Sequence, residues 1–240
     1  MRVAVVGTGI AGNAAAWALS HRYPVTVYER ELRPGGHSHT VTVDYDGQQI
    51  PVDTGFIVYN ELNYPDLTAM FAHLGVETVA SCMSFAMSAD RGRFEWKGGG
   101  DSWLSTFFGL FAQRKNIASP SFMWMLKDVV KFNRQSVEDR PAACVRNFAR
   151  AIWSSPTETL LKFPAENFVA FFDNHRLMQY DRPVWRTVKG GSQRYVEKLT
   201  ANFRDRIRTG CAVTSIERTA LGVIVHDSHG HSEAYDQVVI

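Results

Sequence analysis

Apolar residues run together most densely near the N-terminus, where positions 3–19 read VAVVGTGIAGNAAAWAL behind a single Arg2. The first four, Val3 to Val6, form a short continuous apolar run, the pattern of a strand buried on both faces. Glycines at 7, 9 and 12 break the run, and Asn13 to His21 then reads as an Ala-rich helix. A second strand, Pro24 to Tyr28, ends at Glu29. The segment from Val41 to Asp53 predicts a hairpin turning at Asp46-Gly47, a favoured two-residue turn. Beyond Ile57 the pattern changes. Pro65 to Leu74 places Leu67, Met70, Phe71 and Leu74 at helical spacing. Met83 to Trp96 reads as strands around Asp90-Arg91-Gly92. Trp103 to Phe111 is dense in aromatics, with Trp103, Phe107, Phe108 and Phe111. Ser119-Pro120 is a start signal for a helix carrying Phe122, Trp124, Met125, Val129 and Phe132. Pro141 opens another helix through Phe148, and Phe168 to Phe172 is apolar again.

The opening run admits three readings, and its interior decides among them. A membrane span needs about twenty apolar residues, and this run is too short and is broken by Gly7, Gly9, Gly12 and Asn13. A signal peptide needs a basic start, a short apolar core and a small-residue cleavage site. Strand, Gly7-x-Gly9-x-x-Gly12, helix is instead the context of a dinucleotide site. Gly7 permits the tight turn, Gly9 lets the backbone approach a pyrophosphate, and Gly12 lets helix and strand pack closely. The helix N-terminus offers free N–H groups and the positive end of its dipole to the phosphates. Glu29, at the end of the second strand, falls where an acid takes the ribose hydroxyls of an adenosine.

Composition narrows the class further. The chain has 240 residues, 45% hydrophobic and 21% charged, which is ordinary globular composition and enough for one large domain or two smaller ones. With 26 basic and 24 acidic residues the formal net charge is +2, and no basic block tracks a nucleic-acid backbone. Cys82, Cys144 and Cys211 are scattered and form no CxxC pair, which points to free thiols in a reducing cytoplasm and away from a disulfide framework or a metal site.

The next segments choose the cofactor. Arg33-Pro34-Gly35-Gly36 follows the ribose acid closely, where a nicotinamide domain would normally start another helix, and Asp53-Thr54-Gly55 and Lys189-Gly190-Gly191-Ser192 come later. Together with the glycine motif and Glu29, these motifs resemble the flavin-containing amine oxidase and phytoene desaturase superfamily. The likeness extends to the bacterial NAD/FAD-binding, amine-oxidase-like group through Ala151 to Pro156 and Arg182 to Val188. Val213 to Arg218, Val223 to Val225 and Asp236 to Ile240 are similar to the returning strands that cover the adenine in that superfamily.

The resemblance implies an α/β chain with a Rossmann-type FAD-binding domain over 1–56 and 187–240 and an inserted, mostly helical substrate or cap domain over 57–186. It implies an FAD-dependent oxidoreductase that takes hydride from a C–H bond of an amine or an apolar, lipid-like substrate. A non-catalytic nucleotide-binding protein, or an NAD(P)-dependent dehydrogenase, is the alternative. Gly7, Gly9, Ile10, Ala11 and Gly12 would line the pyrophosphate. Glu29 would hold the ribose, with Arg30 beside the adenosine. Gly36, His37 and Ser38 would follow the phosphate and ribityl chain, Thr54, Gly55 and Phe56 would approach the flavin ring, and Val213 would meet the adenine through its backbone.

His37 departs from the family, which has arginine there; a histidine can donate to these oxygens without being a permanent charge. Ser38-His39-Thr40 is similar to the covalent attachment point of fumarate reductase flavoproteins, although the Gly-Gly pair lies on the other side of the histidine. Tyr59, Trp153 and Trp185 are candidates to face the flavin. The aromatic segments suit either the core of the cap or a lid for an apolar substrate, with peripheral membrane contact. Related flavoproteins continue past the last strand to a Gly-Asp segment, so the resemblance implies a piece of a longer protein or a shortened relative.

Overall fold

The computed structural model describes residues 1–89, 91–98, 102–134, 167, 170, 174–175 and 183–240. Along the chain come β1 (Val3–Val6), α1 (Ile10–Ser20), β2 (Val25–Tyr28), β3 (Thr40–Tyr45), β4 (Gln48–Asp53), β5 (Tyr59–Asn60) and α2 (Pro65–His73). They are followed by β6 (Thr78–Ser81), β7 (Phe85–Ala89), β8 (Phe94–Gly98), α3 (Trp103–Leu110) and α4 (Pro120–Arg134). After the next described stretch begins come β9 (Trp185–Val188), α5 (Gln193–Thr200), β10 (Ile207–Arg208), β11 (Val213–Thr219), β12 (Gly222–Asp227), β13 (Ser232–Tyr235) and β14 (Gln237–Val239). The helices expected over 141–148 and around 168–172 lie outside the described residues, as does Cys144. The chain divides into two compact units, one of residues 1–59, 64–80 and 186–240, the other of 60–63 and 81–185.

The first unit is organised by a four-stranded parallel sheet in the order β10, β2, β1, β14. Because side chains alternate along a strand, β1 feeds two cores. Val3 and Val5 pack with Ala16, Val25, Val27 and Phe203 on the α1 side. Ala4 packs with Tyr28, Cys211, Val225 and Tyr235 on the other. That second face is covered by the antiparallel sheet β11, β12, β13. Two expectations change here. Helix α1 starts at Ile10 rather than Asn13, because Gly9 already has extended geometry and accepts the Asn13 N–H at 2.9 Å. The last strand, β14, does not join the covering sheet; it pairs in parallel with β1, Val5 opposite Val239.

A third cluster in this unit joins α2, β9 and α5 through Tyr59, Phe71, Val188, Tyr195, Val196 and Leu199. The hairpin β3–β4 turns at Asp46-Gly47 as expected, both with positive φ, which the primed two-residue turn requires.

In the second unit, hairpin β7–β8 carries α3 and α4. Ser102 caps α3, its hydroxyl accepting the Ser105 N–H at 3.2 Å. Phe122 is buried and meets Phe94 and Phe111 edge-on. The two readings of the aromatic segments divide between residues. Phe122 is core, whereas Trp103, Leu104, Phe107, Phe108 and Trp124 are exposed.

Candidate functional site

The site is built at the C-terminal end of β1, where an open parallel sheet presents its ligand crevice. Val6 ends the strand and Gly7 turns the chain at φ +90°, its N–H donating to the Tyr28 carbonyl at 2.7 Å. The other two motif glycines differ in what requires them. A methyl on Gly12 would overlap the Gly7 carbonyl oxygen, so glycine there allows α1 to lie against the turn. Gly9 has φ −62° and ψ 176°, open to any residue, and nothing lies within 4 Å of the space a methyl would fill. The protein's own packing therefore gives no reason for glycine at 9, and a ligand lying against the backbone does. Beside it the first turn of α1 has no side-chain cap and no acidic residue, which leaves an electropositive end facing the crevice. These features fit a pyrophosphate.

Glu29 follows β2 and is buried. Its Oε2 accepts the Thr8 N–H at 2.9 Å and the Thr8 hydroxyl, and its Oε1 accepts the Glu31 N–H at 2.9 Å. Burial pushes the Glu29 carboxyl up, but the Thr8 hydroxyl and the N–H groups of Glu31, Thr8 and Arg30 outweigh it and hold the acid below the ordinary carboxylate range. The group is an ionised acceptor, the form that takes a ribose hydroxyl.

The other expected residues are located as follows. Gly36 packs on Gly9, whose Cα would lie 3.0 Å from a methyl on Gly36. The segments 37–39 and 54–56 run side by side: the Phe56 N–H donates to the His37 carbonyl at 2.9 Å and the Thr54 N–H to the His39 carbonyl at 2.8 Å. Gly55 lies so close to the His37 carbonyl that a methyl would overlap it. His37 is exposed, as are Ile10 and Ala11. Ser38 is buried and its hydroxyl bonds the Tyr195 hydroxyl, so this side chain is committed to the protein. His39 Nδ1 faces the Thr54 hydroxyl at 3.1 Å. Arg30 is exposed and pairs with Glu31 at 3.2 Å. The Cys211 N–H donates to the Glu29 carbonyl at 2.8 Å, which brings Val213, two residues on at the start of β11, toward the same end of β2.

Tyr59 is buried edge-on to Phe71, 5.3 Å between centroids, within the α2–β9–α5 core. In the second unit Trp185 stacks on His175, and its buried indole N–H has no partner among the described residues. Trp153 lies outside the described residues.

Two supporting groups were not visible as site residues in the sequence. Asp53 holds the Lys189–Ser192 turn. Its carboxylate accepts the Ser192 N–H at 2.9 and 3.0 Å, the Ser192 hydroxyl at 2.8 Å and the Thr40 hydroxyl at 2.6 Å. Thr8, in the first variable position of the glycine motif, ties the turn to Glu29. Its hydroxyl was the available signal, but spacing does not say where a hydroxyl points.

Residues 10–240 match the family described as flavin containing amine oxidoreductase. The chain belongs to that family. The expected cofactor of this family member, FAD, and its α/β fold are in keeping with that membership. Among solved structures it is similar to putrescine oxidase with bound putrescine, at 18% identity and a TM-score of 0.63, covering 100% of this chain and 58% of that one. Cyclohexylamine oxidase from Brevibacterium oxydans is similar at 20% identity and a TM-score of 0.63, covering 100% and 57%. An oxidoreductase from Methanosarcina mazei is similar at 17% and 0.57, covering 99% and 58%. At these identities the likeness is one of fold. This family member thus spans less than two thirds of the length of those structures. No curated protein matches it. Among the described residues no helix is long and apolar enough to cross a membrane, and no group of three or more His, Cys, Asp or Glu is arranged to hold a metal.

Proposed function

We propose that this chain forms the FAD-binding part of an oxidoreductase that oxidises a C–H bond of an amine or of an apolar, lipid-like substrate. The observation that carries the reading is the β1–α1 turn: a glycine at 9 that the protein does not itself need, an uncapped helix end, and the buried, ionised Glu29. Residues 1–56 and 187–240 bind FAD in this reading, and 57–186 shape the substrate side. Gly7, Gly9, Ile10, Ala11 and Gly12 carry the pyrophosphate on backbone N–H groups. Glu29 takes the ribose, Arg30 and the Val213 backbone flank the adenosine, and Gly36, His37, Ser38, Thr54, Gly55 and Phe56 line the path to the ring. Ser38 contributes through its backbone, because its hydroxyl is held by Tyr195. Bound FAD supplies the hydride acceptor. The chain's own part is to bind it, orient it and keep Glu29 charged. Amines head the substrate class because amine oxidoreduction is what the family is described by.

The lipid-like option and peripheral contact with a membrane are supported by α3. That helix exposes Trp103, Leu104, Phe107 and Phe108, the side-chain chemistry of a lipid interface. A cytoplasmic location belongs to the same reading and rests on the scattered cysteines.

A visible spectrum of the purified, FAD-reconstituted protein tests the proposal. A flavin spectrum that bleaches on anaerobic addition of an amine or an unsaturated lipid supports it. Flavin colour that no such compound bleaches overturns the catalytic part and leaves a nucleotide-binding protein. A protein that takes up no FAD overturns the site itself. Sedimentation with anionic vesicles checks the membrane contact: binding that survives Trp103→Ser with Phe108→Ser, or no binding at all, removes it.

A further inference from the structure

The Lys189-Gly190-Gly191-Ser192 motif and the helix after it touch no expected cofactor atom, yet they are built around the flavin-lining segments. Gly190 and Gly191 have φ +81° and +94°, and a methyl on Gly191 would overlap the Thr40 side chain. Glycine there lets the turn lie directly on the start of β3. The next two N–H groups go to the same place: Ser192 donates to the Asp53 carboxylate at 2.9 and 3.0 Å, and Gln193 to the Thr40 hydroxyl at 3.0 Å. The Tyr195 hydroxyl then bonds the Ser38 hydroxyl, both residues being buried. The Val196 side chain lies 3.3 Å from the space a methyl on Gly35 would fill. The first turns of α5 therefore follow the chain from Gly35 to Thr40.

Segments 37–40 and 53–56 are tied to each other by the Thr54 and Phe56 N–H groups and by the Thr40 hydroxyl on Asp53. Those bonds make one ribbon of them but do not fix where the ribbon stands. Among the described residues, the side-chain hydrogen bonds from this ribbon to the rest of the chain end on Ser192, Gln193 and Tyr195. Tyr195 joins the ribbon to something rigid. Its ring is packed in the core with Tyr59, Phe71, Val188 and Leu199, 5.1 Å from Phe71 between centroids, while its hydroxyl reaches Ser38.

We propose that the Lys189–Ser192 turn and α5 are a clamp that sets the flavin-lining ribbon, with Tyr195 as a positioning residue acting through Ser38. The proposal rests on the FAD-site reading above, in which residues 36–38 and 54–56 line the path to the ring. It adds that the placement of the flavin depends on a hydroxyl pair that does not itself touch it.

Tyr195→Phe, Ser38→Ala and the double variant test this, because the hydroxyl pair affects stability and flavin placement differently. Each single variant leaves one buried hydroxyl without its partner and is expected to melt earlier, measured without FAD. The double variant removes both hydroxyls and is expected to melt close to the parent. Flavin placement has no such recovery. All three variants are expected to bind FAD about five-fold weaker in a fluorescence titration, the worth of one neutral hydrogen bond, with a smaller visible circular dichroism of the bound flavin. Affinity and dichroism that recover together with the melt in the double variant show that Tyr195 contributes stability alone, and overturn the proposal. Parent-like affinity and dichroism in all three overturn it too. A parent protein that binds no FAD refutes the site reading beneath it instead.

Discussion

Alanine at 12 and alanine at 9 separate the two roles of glycine in the β1–α1 turn. In Gly12→Ala the new methyl would overlap the Gly7 carbonyl oxygen and lie 3.0 Å from the carbonyl carbon, inside the 3.4 Å edge of ordinary contact. Both atoms are backbone, in a turn fixed by the Gly7 N–H to Tyr28, so no rotamer change relieves the overlap. Helix α1 must move off β1 by roughly 1 Å, opening the contact between fully buried Ala16 and Val5. Such overpacking costs about 1–3 kcal/mol, and the upper end applies where backbone must yield. Alanine returns up to about 1 kcal/mol over glycine within a helix. The net loss of about 2 kcal/mol corresponds to a fall in Tm of about 4–8 °C for a chain of this size.

Gly9→Ala meets none of this. Its backbone geometry suits alanine and the methyl has no neighbour within 4 Å. Alanine is a poorer N-cap than glycine by somewhat under about 1 kcal/mol, and its stiffer unfolded chain returns about 0.4–1 kcal/mol, so the two nearly cancel. Tm is expected within about 2 °C of the parent. The methyl stands where a pyrophosphate would approach, so FAD affinity is expected to fall about ten-fold or more. Thermal melting without added FAD and an FAD fluorescence titration measure the two effects separately. The reasoning is refuted if Gly9→Ala melts as early as Gly12→Ala, or binds FAD as the parent does.

Two further outcomes follow from the supporting contacts. Asp53→Asn removes the charge that gathers Ser192 and Thr40, and is expected to cost about 1.5–3 kcal/mol, read as an earlier melt and faster proteolytic cutting near residues 188–193; an unchanged melt would remove Asp53 as the anchor of that turn. Asp227 contributes through pH. Burial pushes its carboxyl up, but the His231 N–H, the Cys211 thiol and the His229 N–H outweigh it and bring the pKa from 3.8 down to about 2. A lowered folded-state pKa means its stabilisation is fully present above about pH 4 and is lost as pH falls toward about 2. Asp227→Asn is expected to flatten that acid limb in melts taken from about pH 5 to about pH 2, and a limb as steep as the parent's would show that other carboxylates carry it.

What the sequence determined by itself is local. Val3 to Val6, the spaced glycines, the Asp46-Gly47 turn and the Ser119-Pro120 helix start each depend on backbone sterics and on side-chain period within a few residues, and the elements appear within a few positions of where the pattern predicts them. Glu29 could be singled out because a strand, a turn and a helix of ordinary length return the chain to one sheet end after a nearly constant number of residues. The tertiary structure decided the rest. Only packing showed that β14 lies beside β1, since a short apolar strand carries no label for its neighbour. Only burial separated Phe122, which is core, from Phe108, which is exposed, because helical spacing is the same for both. Which atoms hold the Glu29 carboxylate was decided by contacts between Thr8, Glu29 and Gly35, residues far apart in the chain. A hydroxyl in a sequence has no direction until the fold surrounds it, and here the Gly35 N–H on one side leaves the Thr8 proton only Glu29 on the other.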